Sequence, residues 1–476
     1  MITFLRKHWI VILLIGLCVV VRLYKFNTPL IEYHSWRQAD TAAVARNYAR
    51  DGINLIDPRY DDFSPLQSGI ANPQGYRMVE FPIYNALIAI SYRISPMLSI
   101  VEWGRAWSIV SACIILWCLY GLTKRAANTW AAVIASIVFS VYPFFVFYTR
   151  TVLPETFALA LIMLSIYVLT VRITLTRLII STILFSAALL VKPTTIFFGL
   201  VYLVLILSSN QQALLRKFVI AVTCFVMSVI PLLLWRQYIQ AFPAGIPASA
   251  WLFTSVNTGG SAVNIFFRPA FFRWMLYERL NLLILGSFAL PLAVVGVLRR
   301  SSTLVPISML ISSVIYVCTF QGGNVQHEYY QILILPTIAM FTGMGASFMY
   351  EHAHGLIGRM TAVALIAGLL VGGWVFSWDK VHHYYYSLSD IPQFATIVQT
   401  FVRPDEKIVV DTAGDTTALY AFDRKGSPGL FAGSIDLKAQ GYSYIFTYNL
   451  ETARNLQIGT TARVISASDR YVLLKL

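Results

Sequence analysis

Charged side chains are scarce: they form 12% of the 476 residues, against roughly 25% in an ordinary soluble domain. So low a share excludes an array of soluble domains, because no water-soluble core could absorb the apolar surface that takes its place. Cysteine is scarce too. The five cysteines, Cys18, Cys113, Cys118, Cys224 and Cys318, all lie inside apolar stretches without a CxxC spacing. They read as packing residues, which excludes a disulfide framework and a zinc site. A small-residue cleavage pattern is missing after the apolar run Trp9 to Val21, although Arg6 and Lys7 precede it as in a signal peptide. That run is therefore expected to remain as an uncleaved first span.

What fills the chain is apolar: 57% of residues are hydrophobic and the mean hydropathy is +0.67. A helix crossing ~30 Å of hydrocarbon needs about 20 mostly apolar residues, and on that criterion about eleven spans are expected. They start near Trp9, Arg105, Trp130, Pro154, Leu178, Pro193, Phe218, Asn281, Thr303, Gln331 and Met360. The formal charge of +14 is not a nucleic-acid footprint, because much of it sits in short turns between spans. Alternate turns carry Lys124 with Arg125, Arg172 with Arg177, Arg216 with Lys217, Arg299 with Arg300, and Arg359. Basic turns stay on the cytoplasmic side. This places the N-terminus in the cytoplasm and the C-terminus outside, in what is expected to be a prokaryotic plasma (inner) membrane.

The expected fold class is an all-α polytopic membrane domain over residues 1–378 with a small extracytoplasmic α/β domain over 379–476. Two outward loops are long, about 25–102 and about 237–280. The first holds two helix-like pieces, Thr41 to Arg50 ending at Gly52, and Pro82 to Ile94. The second interleaves aromatic and basic residues after Gly259 and Gly260, with Phe266, Phe267, Arg268, Phe271, Phe272, Arg273, Trp274 and Tyr277. That pattern suits a helix lying in the headgroup zone. Beyond Trp378, Lys407 to Asp411, Tyr442 to Tyr448 and Arg470 to Lys475 read as strands, with helices over Thr417 to Phe422 and Glu451 to Leu456. No glycine-rich phosphate loop or metal cluster is visible in that domain.

The ionisable residues of the outward turns carry the chemistry. Loop one opens with His34-Ser35-Trp36-Arg37-Gln38-Ala39-Asp40-Thr41. Asp40 or Thr41 has two readings there, a helix N-cap or a carboxylate that takes a proton from a hydroxyl nucleophile. Glu80-Phe81-Pro82 opens the second helical piece, where the helix dipole alone would also favour an acid. Arg150 to Glu155, Lys192-Pro193-Thr194 and His327-Glu328-Tyr329-Tyr330 occupy the other outward turns. Lys192 is either a lysine snorkelling to the interface or a functional cation at membrane depth. Under the topology above, Asp40, Glu80, Arg150, Glu155, Lys192 and His327 all fall on one side of the bilayer, which predicts a polar cavity of mixed charge at the outer face.

This order of parts resembles the membrane-embedded GT-C glycosyltransferases that use polyprenyl-phosphate sugars, in particular the protein O-mannosyltransferases and the aminoarabinose transferase of lipid A. The resemblance covers the membrane domain, about four-fifths of the chain. Asp40 matches the early loop-one acid used as catalytic base in that family. Glu80 with Pro82 resembles the later Glu-Lys-Pro-Pro segment, with Phe81 in place of the lysine. Arg150 to Glu155 resembles the arginine-bearing outer turn that ends in Pro-Glu or Pro-Asp, and His327 to Tyr330 followed by Pro336 resembles the late aromatic and proline motif. Asp40-Thr41 stands where protein mannosyltransferases carry adjacent Asp and Glu, which argues against close kinship with them.

The resemblance implies an inverting transfer of a sugar, a hexose or a pentose, from a polyprenyl-monophosphate donor to a glycan, lipid or protein acceptor at the outer membrane face. It implies Asp40 and Glu80 as catalytic carboxylates, and Arg37, Lys192 and His327 as ligands of the donor phosphate. Arg150, Glu155, Tyr329 and Tyr330 would bind the acceptor or organise the site. No metal and no other cofactor is required in this scheme, because cationic side chains neutralise the phosphate. Two further readings stay open at this point. A polymerase or ligase of pyrophosphate-linked glycans would use arginines such as Arg268, Arg273 and Arg279 of loop two. A lipid or glycan transporter would be expected to show internal repeats, and none is clear.

Overall fold

The computed structural model describes residues 2–208, 213–249, 252–253, 269–386, 390–458 and 462–476. Gly259, Gly260, Phe266, Phe267 and Arg268 of loop two lie outside the described residues. The chain divides into two compact units. The first joins Met1–Phe26, Arg105–Trp235 and Ser249–Tyr385; the second joins Asn27–Gly104, Arg236–Ala248 and Tyr386–Leu476.

The first unit is built from apolar helices. Among the described residues five helices are long and apolar enough to cross a membrane: Ile100–Ala126, Pro154–Val171, Leu214–Ile239, Glu328–Glu351 and Gly355–Tyr385. Shorter apolar helices are Trp9–Arg22, Thr129–Val141, Leu175–Val191, Pro193–Leu207 and Val305–Thr319. The apolar stretch expected from Asn281 is broken into a π-helical turn, Arg273–Ile284, and the short helix Leu290–Leu298. Burial sorts these helices. Glu328–Glu351 is 89% buried over its apolar window and forms the centre of the unit, whereas Leu214–Ile239 and Gly355–Tyr385 are 22% buried. The outward apolar side chains of those two, such as Leu215, Phe218, Leu365 and Val371, are exposed and need a lipid solvent. The protein is an integral membrane protein.

Helices pack closely at the centre through glycine. A Cβ added at Gly296 would lie 1.8 Å from the carbonyl oxygen of Phe341, and one at Gly345 would lie 1.8 Å from that of Leu292. Only glycine lets the backbones of Leu290–Leu298 and Leu335–Glu351 touch, as in other membrane helix pairs.

The second unit combines loop one with the C-terminal region. Helix Ser35–Asp51 ends at Gly52, whose positive φ of 109° requires glycine, and the second piece runs Ile83–Ile94 as expected. Five strands follow: β1 (Lys407–Val410), β2 (Gly426–Ser427), β3 (Tyr442–Thr447), β4 (Arg463–Ala467) and β5 (Val472–Lys475). Their order is β2-β1-β3-β5-β4, parallel through β2, β1 and β3 and antiparallel at β5 and β4. Both faces of this sheet are apolar. Phe394, Val398, Leu419, Phe422 and Phe446 pack on one side, and Val409, Leu437, Ile445 and Leu474 on the other. The sequence reading placed β1, β3 and β5 but missed β2, β4 and the helices Ile391–Phe401 and Ser434–Ala439.

Loop one extends the sheet at the β2 edge. Gly426 donates its N–H to Asp61 O at 2.9 Å and accepts from Phe63 N at 2.6 Å, forming a parallel bridge with Asp62. A Cβ on Gly426 would meet Ile408 O at 1.7 Å, so this three-way junction is open only to glycine.

Candidate functional site

In the second unit, Asp40 does not cap a helix. The helix begins at Ser35, with His34 in the left-handed region as its N-cap, so Asp40 and Thr41 lie in its second turn. The N-cap reading is thereby corrected. Thr41 hydrogen-bonds back to Arg37 O at 3.1 Å, and its own carbonyl accepts from Asn85 at 2.8 Å, which fixes Ser35–Asp51 against Ile83–Ile94.

The Asp40 side chain is wholly buried. Its Oδ2 is 2.7 Å from the Arg77 guanidinium, and its Oδ1 accepts the Thr416 hydroxyl at 2.7 Å. The same hydroxyl lies 3.1 Å from Trp36 O, and Thr417 reaches Ser35 at 2.9 Å. The turn ahead of helix Thr417–Phe422 therefore sits on the start of the loop-one helix. Arg46 strengthens this junction by pairing with Asp61 and donating to Tyr420 O at 2.8 Å. Arg50 grips Asp423 through two bonds of 2.7 and 2.6 Å.

Glu80 lies two residues ahead of Pro82, the N-cap of helix Ile83–Ile94, and pairs with Arg37. Its side chain keeps 12% exposure, against 0% for Asp40. Two further acids, Asp61 and Asp62, are buried nearby. Burial is the main cause raising both carboxyls, with Asp62 pushed up to about 6 against the bonds from Ser64 that pull it down.

In the first unit, Glu155 opens the helix Pro154–Val171, and Lys192 closes Leu175–Val191 where the chain turns into a 3-10 segment. Their charged groups meet at 2.6 Å, with 11% of the lysine side chain exposed. Lys192 also lies over the Tyr330 ring at 5.5 Å. Thr194, Thr195 and Tyr316 complete a small cavity around the pair. His327 stacks on Tyr329 with ring centres 5.4 Å apart, and Glu328 accepts from Arg279 at 2.5 Å.

Arg150 has a different setting. It is fully buried, donates to Lys25 O at 3.0 Å and lies 4.9 Å from the centre of the Tyr385 ring. Arg22 is equally buried and bonds Thr149 and the carbonyls of Cys18, Ser140 and Phe139 at 2.8–3.0 Å. These arginines satisfy carbonyls where helices end. Arg273, named with the loop-two arginines, is 72% exposed and lies 3.4 Å from Glu278.

Sequence reasoning missed Arg77 and Thr416, and named Arg279 only as a loop-two arginine and not as the partner of Glu328. Thr416 is 376 residues from Asp40, and no local pattern marks such a partner. Among the described residues no three His, Cys, Asp or Glu side chains gather as a metal-binding group.

A family model described as dolichyl-phosphate-mannose-protein mannosyltransferase matches residues 80–235. No curated protein matches the chain in sequence. Among solved structures the chain is similar to ArnT from Cupriavidus metallidurans bound to undecaprenyl phosphate, over 98% of each chain, with a TM-score of 0.65 and 12% identity. The fold is that of the GT-C membrane glycosyltransferases. Similar too is the archaeal oligosaccharyltransferase AglB from Archaeoglobus fulgidus, solved with an inhibitory peptide and a dolichol-phosphate. That match covers 93% of this chain and 70% of AglB, with a TM-score of 0.56 and 10% identity. The arabinofuranosyltransferase AftD from Mycobacteria is matched over 98% of this chain and 40% of its own, with a TM-score of 0.59 and 12% identity. The GT-C likeness thus reaches past the four-fifths legible from motifs and takes in the C-terminal region.

Proposed function

We propose that the chain is an inverting glycosyltransferase that moves a sugar from a polyprenyl-monophosphate donor to an acceptor hydroxyl at the outer face of a prokaryotic plasma membrane. The full-length likeness to ArnT, solved with undecaprenyl phosphate bound, is the observation that carries this reading. The proposal includes about eleven crossings, several of them made by short or broken helices, since a crossing needs ~20 apolar residues only where one helix makes it alone. It includes a cytoplasmic N-terminus and a division by membrane side into 1–378 and an extracytoplasmic 379–476, although the compact units interleave along the chain.

Of the two loop-one carboxylates expected to be catalytic, Asp40 as the base among them, Glu80 instead takes the acceptor proton. A general base must reach the proton it removes, and Glu80 has exposed surface where Asp40 has none. Asp40 is the fixed anion that holds Arg77 and the start of the loop-one helix. As the acceptor oxygen bonds to the anomeric carbon, the bond from that carbon to the phosphate oxygen breaks and the electron pair leaves with polyprenyl phosphate. Lys192 and His327 stabilise the charge gathering there. Arg37, the ion-pair partner of Glu80, is the loop-one ligand of the donor phosphate. Glu155, Tyr329 and Tyr330 keep Lys192 and His327 in place, and Arg150 supports the turn before them. Cationic side chains do the neutralising, so the scheme calls for no metal or other cofactor.

Mass spectrometry of lipids co-purifying with the full chain tests the donor. A polyprenyl-monophosphate sugar is expected; a diphosphate-linked oligosaccharide would overturn the assignment in favour of a polymerase. Glu80→Gln should then lower transfer at least a hundredfold while the protein still binds undecaprenyl phosphate. Full transfer by that variant would remove Glu80 from the mechanism.

A further inference from the structure

The C-terminal sheet contains a cleft that the chemistry above does not use. Strands β2, β1 and β3 are parallel and lie in the order 2-1-3. The connection from β1 runs to one side, through Thr417–Phe422 to β2, and the next crosses back through Ser434–Ala439 to β3 on the other side. In open α/β sheets that reversal leaves a crevice beyond the carboxyl ends of β1 and β3, where ligands bind. A cavity of about 420 Å³ occupies this position, lined by Asp411 and Thr412 directly after β1, Tyr448 directly after β3, and Phe394, Asp415 and Arg470. Its size falls within the range of small-molecule sites, ~300–1,000 Å³.

The lining is amphipathic in a specific way. Phe394 and Tyr448, with ring centres 5.8 Å apart, form an aromatic wall. The polar groups of the lining are partly committed. Asp411 Oδ2 accepts the Thr447 hydroxyl at 2.9 Å, and Asp415 Oδ1 accepts the Thr417 amide at 2.8 Å. The second oxygen of Asp411 makes no hydrogen bond among the described residues, whereas the Thr417 side chain also bonds the Asp415 carboxyl. Arg470 pairs with Asp390 at the start of helix Ile391–Phe401 and supplies N–H donors at the rim. A pair of aromatic rings in one cleft with carboxyl oxygens and a guanidinium matches a sugar ring, which has an apolar C–H face and a rim of hydroxyls. It does not match a metal ion, because the carboxylates do not converge as a cation cage.

We infer that this cleft is a saccharide-binding site that holds a glycan acceptor. It is continuous with the loop-one acid, since Asp415 lines the cleft and the next residue, Thr416, donates to Asp40. The acceptor role rests on the transferase reading; saccharide binding itself does not.

The test is saturation-transfer-difference NMR on the full chain in a sugar-free zwitterionic detergent. The probes are the methyl glycosides of glucose, galactose, mannose and N-acetylglucosamine. At least one should give a signal, and Asp411→Asn and Tyr448→Ala should each weaken its binding at least tenfold with undecaprenyl phosphate binding unchanged. Asp411→Asn keeps an acceptor for Thr447 and so guards against a loss caused by misfolding around Tyr448. No signal from any glycoside, or binding unaltered in Asp411→Asn, overturns the cleft. Glycoside binding together with full transfer by Glu80→Gln would instead leave the cleft standing and sink only the assignment of Glu80.

Discussion

Removing Arg77 should expose how strongly the loop-one acid depends on its partner. Asp40 has no exposed side-chain surface and Arg77 only 8%. Arg77→Leu therefore strands a carboxylate in the interior that keeps the hydrogen bond from the Thr416 hydroxyl. Breaking a buried pair from one side costs about 3–5 kcal/mol, whereas replacing both members by apolar groups is often near neutral. For a unit of this size 1 kcal/mol moves Tm by roughly 2–4 °C, so Arg77→Leu should lower the melting temperature by about 10 °C. Asp40→Leu combined with Arg77→Leu should recover most of that loss. The assay is thermal unfolding of the full chain in detergent, followed by proteolytic release of the C-terminal region, with all four members of the double-mutant cycle. Additive losses, with no coupling above about 1 kcal/mol, would refute the claim that the two side chains form one buried unit.

Three further outcomes are expected. Asp62 has a carboxyl raised to about 6 from an unfolded 3.8, so its protonated form is the one the fold favours. The associated stability is complete below about pH 4 and is lost as pH rises through about 6, and Asp62→Asn should be more stable than the parent above pH 7 by about 2–3 kcal/mol, with no advantage at pH 4. A melting curve that is equally pH-dependent in both proteins would exclude this. Gly426→Ala should cost about 1–3 kcal/mol by overpacking and raise the rate of proteolysis in residues 57–76, because Ile408 O occupies the space a Cβ needs. Lys192→Met should abolish transfer and destabilise the protein unless Glu155→Gln accompanies it; rescue of stability without rescue of transfer is the signature of a cation that serves the donor phosphate.

What the sequence made legible follows the range of the forces involved. Apolar runs and the alternation of basic turns are local properties, and apolar helices form in most of those runs, although among the described residues only five are long enough to span alone and the stretch near Asn281 is broken. The strands β1, β3 and β5 carry enough consecutive apolar residues to be seen. By contrast β2 is two residues long and β4 is largely exposed, so neither has a pattern to read. The loop-one helix was placed too late because its start has no side-chain cap: His34 makes none, and the capping chemistry of Asp40 and Thr41 was a false signal. The arginines show the same limit. Arg150 was expected to bind the acceptor or organise the site from an outward turn, yet it and Arg22 are both buried donors to backbone carbonyls.

The separation of Asp40 from Glu80 shows why residue type and sidedness were insufficient. Both are loop-one acids, both precede or enter a helix, and both have an arginine partner. An anion that must accept a proton needs access to the acceptor and cannot have every oxygen engaged within the protein. Asp40 fails the first condition: its side chain has no exposed surface, Arg77 pairs with it beside Oδ2, and Thr416 of the C-terminal region donates to Oδ1. The domain beyond the last helix is therefore part of what defines the loop-one acid. Truncating the chain before Asp390 should expose Asp40 and loosen helix Ser35–Asp51 rather than merely remove a cover. Hydrogen exchange over residues 35–51 measures this directly. Protection equal to that of the full chain would mean that the loop-one helix is held without Thr416, Tyr420 and Asp423, and that the C-terminal region does not set the state of Asp40.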